Sequence, residues 1–189
     1  MNSLGLDLRK TLRLDILRQR ELLGGRSLNW SWRLWLYAFS PRFLPVLLYR
    51  LAYKSQSIGL GLVARFFSII NCILFGIEIA TICRIGPGLF FPHTQGTVIG
   101  AVSIGSNAVI YQGVTLGAKD LDFTYDSSKR PIVGDSVLIG AGAKVLGGLI
   151  IGNNVNIAAN AVLLESVADF SVAAGVPAKV VSVRGSKSA

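Results

Sequence analysis

Hydrophobic and polar positions divide the chain into two parts with different periods. In the first third, Leu44, Leu47, Leu48 and Leu51 recur at i, i+3, i+4 and i+7, with Arg50 and Lys54 on the opposite face. That spacing predicts an amphipathic helix, and Pro45 suits its first turn, where a missing N–H costs nothing. Leu8 to Leu17 carries a similar mixed pattern, while Gly24-Gly25 and Ser40-Pro41 read as breaks. Ile58 to Ile77 is strongly apolar, with Arg65 as its single charge. Three arrangements fit this stretch: a helix buried or facing another subunit, a helix on a membrane surface, or a span. Its length just reaches that of a span, but Arg65 and Asn71 interrupt it. Trp30, Trp32, Trp35, Tyr37, Phe39 and Phe43, set beside arginines, speak for the membrane surface.

The second part repeats every six residues. Val133, Ile139, Val145, Ile151, Ile157 and Leu163 recur without a slip, and Val137, Ala143, Leu149, Val155 and Ala161 follow four positions behind. The same period runs earlier through Val98, Ile104, Ile110 and Leu116, and before that through Ile79, Ile85 and Phe91. Six residues match neither the helical nor the strand period, so the pattern predicts a β-solenoid whose aliphatic side chains stack inward from coil to coil. Gly86, Gly105, Gly134, Gly140 and Gly152 follow the repeated aliphatic and permit close backbone approach. Such a rod has exposed ends, for which the N-terminal helices and the segment after Leu164 are the candidate caps.

Two interruptions stand out. One extra residue lies between Phe91 and Val98, within Phe91-Pro92-His93-Thr94-Gln95-Gly96, and a long excursion separates Leu116 from Val133. Loops leaving a rigid scaffold tend to carry chemistry. His93, the only histidine of the chain, sits in the first of them.

The stretch from Gly86-Pro87-Gly88-Leu89 to His93-Thr94-Gln95-Gly96-Thr97-Val98-Ile99-Gly100 resembles the catalytic segment of the hexapeptide-repeat acyltransferases, in the serine acetyltransferase-like branch. Val114-Thr115-Leu116-Gly117, Ile139-Gly140-Ala141-Gly142-Ala143-Lys144 and Ala174-Gly175-Val176-Pro177-Ala178-Lys179 extend the likeness over roughly residues 76–183. The resemblance implies a left-handed parallel β-helix, a homotrimer and acetyl-CoA as acyl donor. It divides the chain into a helical, basic and aromatic region 1–77, a β-helix 78–168 with loop 117–132, and a C-terminal tail 169–189.

It also implies roles for single residues. His93 is the general base, which the chemistry needs because a neutral alcohol attacks a thioester poorly, and imidazole suits proton transfer near pH 7. The family pairs this histidine with a carboxylate fifteen residues upstream, here Glu78, which would orient the ring and stabilise the imidazolium. Acetyl-CoA would lie in a groove between subunits beside the small residues Ala118, Ala141 and Ala159, with Lys179 near its phosphates.

The sequence departs from the serine enzymes in two places. Lys129-Arg130-Pro131 stands where they carry Arg-His-Pro, and Pro92 where they carry aspartate before the histidine. The loop offers Asp120, Asp122, Tyr125 and Asp126, a mix suited to hydroxyl groups. These features point the reading to the polysaccharide and colanic-acid-type relatives: O-acetylation of a sugar or glycan in exopolysaccharide or capsule assembly, with Lys129 and Arg130 as acceptor contacts. The alternatives are serine O-acetylation in cysteine biosynthesis and a non-catalytic β-helix scaffold.

Composition adjusts this picture. Hydrophobic residues make up 51% of the chain, which calls for a covering partner, subunit or membrane. The net charge is +9, and residues 1–60 hold ten Lys and Arg against Asp7, Asp15 and Glu21. Because this basic segment is interleaved with apolar residues, it speaks against nucleic acid as partner and for the inner face of the cytoplasmic membrane. One histidine per chain gives no basis for a metal site. Cys72 and Cys83 read as small buried hydrophobes in a reducing cytoplasm, and charges throughout the first twenty residues argue against a signal peptide.

Overall fold

The computed structural model describes residues 7–24 and 40–184. Three helices precede the repeats: α1 (Leu8–Leu22), α2 (Leu44–Ser57) and α3 (Gly61–Phe75). Asp7 caps α1 by accepting the Arg9 N–H at 3.2 Å, and Pro45 lies in the first turn of α2, as its spacing predicts. The apolar stretch 58–77 is not one helix. It turns at Gly59, where φ is +82°, and α3 ends at Gly76, which takes the left-handed conformation. Fifteen residues rise about 22 Å, short of a bilayer core. Among the described residues no helix is long and apolar enough to cross a membrane. Phe43 is buried, whereas Trp30, Trp32, Trp35, Tyr37 and Phe39 lie outside the described residues.

From Ile77 the chain winds as a three-faced parallel β-helix. The first face holds β1 (Ile77–Ile79), β3 (Thr97–Ile99), β6 (Thr115–Gly117), β9 (Lys144–Leu146) and β12 (Val162–Leu163). The second holds β2 (Arg84–Ile85), β4 (Ser103–Ile104), β7 (Ile132–Val133) and β10 (Ile150–Ile151). The third holds β5 (Val109–Ile110), β8 (Leu138–Ile139), β11 (Asn156–Ile157) and β13 (Ser171–Gly175), closed by β14 (Ala178–Val183). Regular coils repeat every eighteen residues, as Lys144 opposite Val162 and Leu138 opposite Asn156 show. Every aliphatic of the six-residue series is buried except Val98. At the second-to-third corner the backbones nearly touch: a Cβ on Gly105 would come within 2.6 Å of the Gly134 backbone, so only glycine fits.

Val98 corrects the expected register. It points outward and is 40% exposed, while its neighbours Thr97 and Ile99 face the core. Ile99, not Val98, stacks between Ile79 and Leu116. The interruption is therefore an insertion of two residues before β3, followed by a corner one residue short before Ile104.

Both ends of the rod are covered. The first coil would otherwise present unpaired N–H and C=O groups. Tyr49 Oη donates to Cys83 O (2.7 Å) and accepts from the Ile85 N–H (3.1 Å). Arg50 donates to Ile85 O and Gly86 O, and Asp15, fully buried, accepts from the Gly88 and Leu89 N–H groups at 2.7 and 3.1 Å. Arg50 and Asp15 hold each other through two hydrogen bonds of 2.9 and 3.1 Å. At the other end β13 continues the third face past residue 168, and β14 folds back antiparallel on it. Ser171–Gly175 and Ala178–Val183 thus form a closing hairpin within the segment after Leu164.

Candidate active site

Each coil passes from the third face to the first through a tight corner, and these corners stack into one edge of the prism. Backbone bonds define the column: Gly96 N–H to Gly76 O, Gly113 to Gln95, Gly142 to Gln112 and Asn160 to Ala141, all 2.8–2.9 Å. His93 stands in the first of these corners, exposed, on the two-residue insertion. Thr94 fixes that segment by donating from Oγ1 to Phe75 O, the C-terminal end of α3, at 2.7 Å. Ala141 and Ala159 occupy the third and fourth corners, past that of Gln112, the former half-buried and the latter exposed. With coils about 4.8 Å apart, the column from Gln95 to Ala159 runs about 14 Å.

Lys179 extends this edge. Ala158 N–H donates to Ala173 O (2.9 Å), which sets the hairpin turn just beyond the Ala159 corner, with Lys179 opposite Ala174. Its Nζ lies 3.1 Å from Glu165, but both side chains are mostly exposed, so the pair is weak and readily exchanged for another anion. Ala118 is elsewhere: it follows β6 at the opposite border of the first face, where the long loop departs. Gln112, on the column itself, was not foreseen; its Oε1 is buried without a partner among the described residues.

Glu78 lies on the outer side of β1, exposed, beside Val98. Gly76, two residues before it, is bonded to Gly96 in the His93 corner. The two carboxylate–imidazole candidates thus belong to adjacent coils at one end of the edge, although no hydrogen bond or ion pair joins them among the described residues. A cleft of about 720 Å³ opens on the other side of Glu78, between β1 and α3.

The long loop differs from expectation in what its polar groups do. Arg130 turns inward, only 11% exposed, donating to Asp122 Oδ2 (3.0 Å), Asp122 O and Gly100 O, with its guanidinium 3.8 Å above the Tyr125 ring. Tyr125 Oη donates to Ala101 O at 2.7 Å, and Asp126 caps the turn Ser127–Lys129 by accepting from Ser128. Burial pushes the Asp122 carboxyl up, but bonds from Thr124 and Arg130 hold it below its ordinary value of 3.8. Arg130 is therefore the clamp of the loop and not a free acceptor contact; Lys129 remains exposed. The cysteines also part ways. Cys83 is buried, and burial pushes its thiol up to about 12, whereas Cys72 is exposed on α3 and not a core residue as expected.

Residues 130–165 match the family model for the bacterial transferase hexapeptide with six repeats. The serine acetyltransferase of Staphylococcus aureus strain Mu50 is 46% identical over 123 residues, which cover 65% of this chain and 56% of that enzyme. That of Staphylococcus epidermidis strain RP62A is 43% identical over the same length. The chain thus spans a little over half the length of these curated relatives. Among solved structures, the serine acetyltransferase of Brucella abortus strain S19 superposes with a TM-score of 0.77 at 30% identity, covering 93% of this chain and 69% of that one. The same enzyme in complex with coenzyme A gives 0.79 at 30% identity, covering 96% and 70%.

These relatives overturn the expectation of a sugar or glycan acceptor and of a place in exopolysaccharide or capsule assembly. They are named serine acetyltransferases, and of the loop groups that suggested hydroxyl recognition, Asp122, Tyr125 and Asp126 are engaged by the protein itself. The expected fold is upheld: a left-handed parallel β-helix with a helical N-terminal region. With 30% identity to solved relatives over 93–96% of its length, and the repeat model matched within it, the chain belongs to the hexapeptide-repeat acyltransferase family.

Proposed function

We propose that this chain transfers an acetyl group from acetyl-CoA to the hydroxyl of serine, as a cytoplasmic homotrimer. The observation that carries the reading is the 46% identity to serine acetyltransferases, which covers 65% of the chain. The alignment of His93, Ala141, Ala159 and Lys179 along one edge supports it, because a long, extended donor needs such a track.

In this reading the donor lies along the edge, its thioester at the His93 corner and its phosphates toward Lys179. Small side chains at Ala141 and Ala159 leave backbone groups accessible, whereas Ala118, at the opposite border of the first face, lies off this track within one chain. Neutral His93 accepts the proton of the serine hydroxyl while its oxygen bonds to the thioester carbon. Collapse of the tetrahedral intermediate breaks the C–S bond, and the imidazolium returns the proton to the departing thiolate. The products are O-acetylserine and CoA. Glu78 orients the imidazole and stabilises its charged form. Lys129, exposed beside the loop clamp, is a candidate acceptor contact.

Mass spectrometry of a reaction containing acetyl-CoA and serine tests this reading. O-acetylserine should accumulate in step with free CoA. Intact serine, or CoA release that ignores serine, would refute it.

A further inference from the structure

A groove lies on a different edge of the prism from His93, where α1 and α2 meet the second-to-third corner. It encloses about 650 Å³, a volume suited to a small metabolite. Along its floor run the stacked corner glycines Gly86, Gly105 and Gly134, from which no side chain rises. Two cations line its helical end: Lys54, in the last turn of α2, and Arg84, on the outer side of β2. Both are exposed, and neither side chain has a hydrogen bond or ion pair among the described residues. Ser103, the register partner of Arg84 on β4, lines the same space. Arg50 borders it too, but its guanidinium is taken up by Asp15 and the carbonyls of the first coil. Asp135 stands two coils beyond Arg84, a separation of about 10 Å. Its Oδ1 accepts the Ser106 N–H at 2.6 Å, while Oδ2 has no partner among the described residues.

We propose that this groove binds a hydroxylated phosphomonoester, with the phosphate between Lys54 and Arg84 and the hydroxyl groups toward Asp135. A phosphomonoester carries nearly two negative charges at neutral pH, which two cations without an anion match. The arginine fork engages two phosphate oxygens at once, the lysine adds a point charge, and the Ser103 hydroxyl donates to a third oxygen. At the far end a carboxylate accepts from hydroxyl groups and repels a second phosphate. The groove therefore selects a sugar-sized monophosphate over a diphosphate or a longer polyanion. The bound molecule would bridge α2 and three coils. The proposal does not rest on the serine reading, since no residue of the His93 edge lines this groove.

Titration calorimetry on the full chain tests it with glucose 6-phosphate, inorganic phosphate and glucose. Wild type should bind glucose 6-phosphate saturably, inorganic phosphate more weakly and glucose undetectably. Lys54→Ala and Arg84→Ala should each raise Kd for glucose 6-phosphate about tenfold or more. Their unfolding midpoints without ligand should match wild type, because both side chains are exposed. Asp135→Asn keeps an acceptor for the Ser106 N–H, as Asn153 already provides one for the Asp135 N–H at 2.8 Å. That variant should weaken glucose 6-phosphate and leave inorganic phosphate unchanged. An excess of acetyl-CoA should not displace the sugar phosphate. Competition by acetyl-CoA, no saturable binding of either phosphate, or an unaltered Kd in both alanine variants would overturn the proposal.

Discussion

Asp15 and Arg50 show how a buried charge pair serves the solenoid. Neither is near the stacked corners, yet together with Tyr49 they satisfy six backbone groups at the open end of the first coil. Deleting one partner strands the other without solvent. Arg50→Ala should therefore lower stability by about 3–5 kcal/mol, read as a fall in the urea midpoint at constant slope. A midpoint unchanged from wild type would mean that the end of the coil does not depend on this pair. Sequence gave little warning of the role: Arg50 reads as the polar face of α2, and Asp15 as one acid among many bases. Their partner groups are backbone atoms more than thirty residues away, which no periodicity reveals.

At the scale of elements, the six-residue series was legible because each inward side chain must stack on its equivalent, so the spacing is set by coil geometry. The break around His93 was legible as an interruption but not as a register. An insertion of two followed by a corner one residue short has the same net length as one extra residue. Only the strand pairing shows that Ile99 faces inward and Val98 outward. The apolar stretch 58–77 misled in the same manner, since a turn at Gly59 leaves no trace in hydropathy. The long loop yields two predictions. Asp122 is held below its ordinary carboxyl value, so its clamp is fully present above about pH 4 and weakens as pH falls through the folded value. Proteolysis or hydrogen exchange within 118–131 should increase there before the coils themselves open, and simultaneous loss of both would contradict a separate clamp. Gly148 supports the same loop: a Cβ there would sit 2.0 Å from Ser128 O, so Gly148→Ala should displace the loop and raise its exchange at neutral pH. Unchanged exchange in that variant would show that the loop accommodates the methyl group.

For the whole molecule, the corners of successive coils make a straight track, and its residues were mostly legible from their motifs. The geometry adds that His93, Ala141, Ala159 and Lys179 share one edge while Ala118 does not. Ala159→Trp should raise KM for acetyl-CoA about tenfold without changing the unfolding midpoint, because the site is exposed and its bulk meets the donor and not the core. An unchanged KM would remove the donor from this edge. The outward face of α3 exposes Leu62, Phe66, Ile69 and Ile73, more apolar surface than a lone chain usually shows, in keeping with the proposed trimer. The central claim remains that His93 accepts the proton of serine as the acetyl group moves. The most direct measurement is the rate of CoA release with saturating serine and acetyl-CoA, for wild type and His93→Ala with equal unfolding midpoints. The account predicts serine-dependent release by wild type and a fall in kcat of about 10²- to 10⁴-fold in the variant. Serine-dependent release at the wild-type rate from His93→Ala would contradict it.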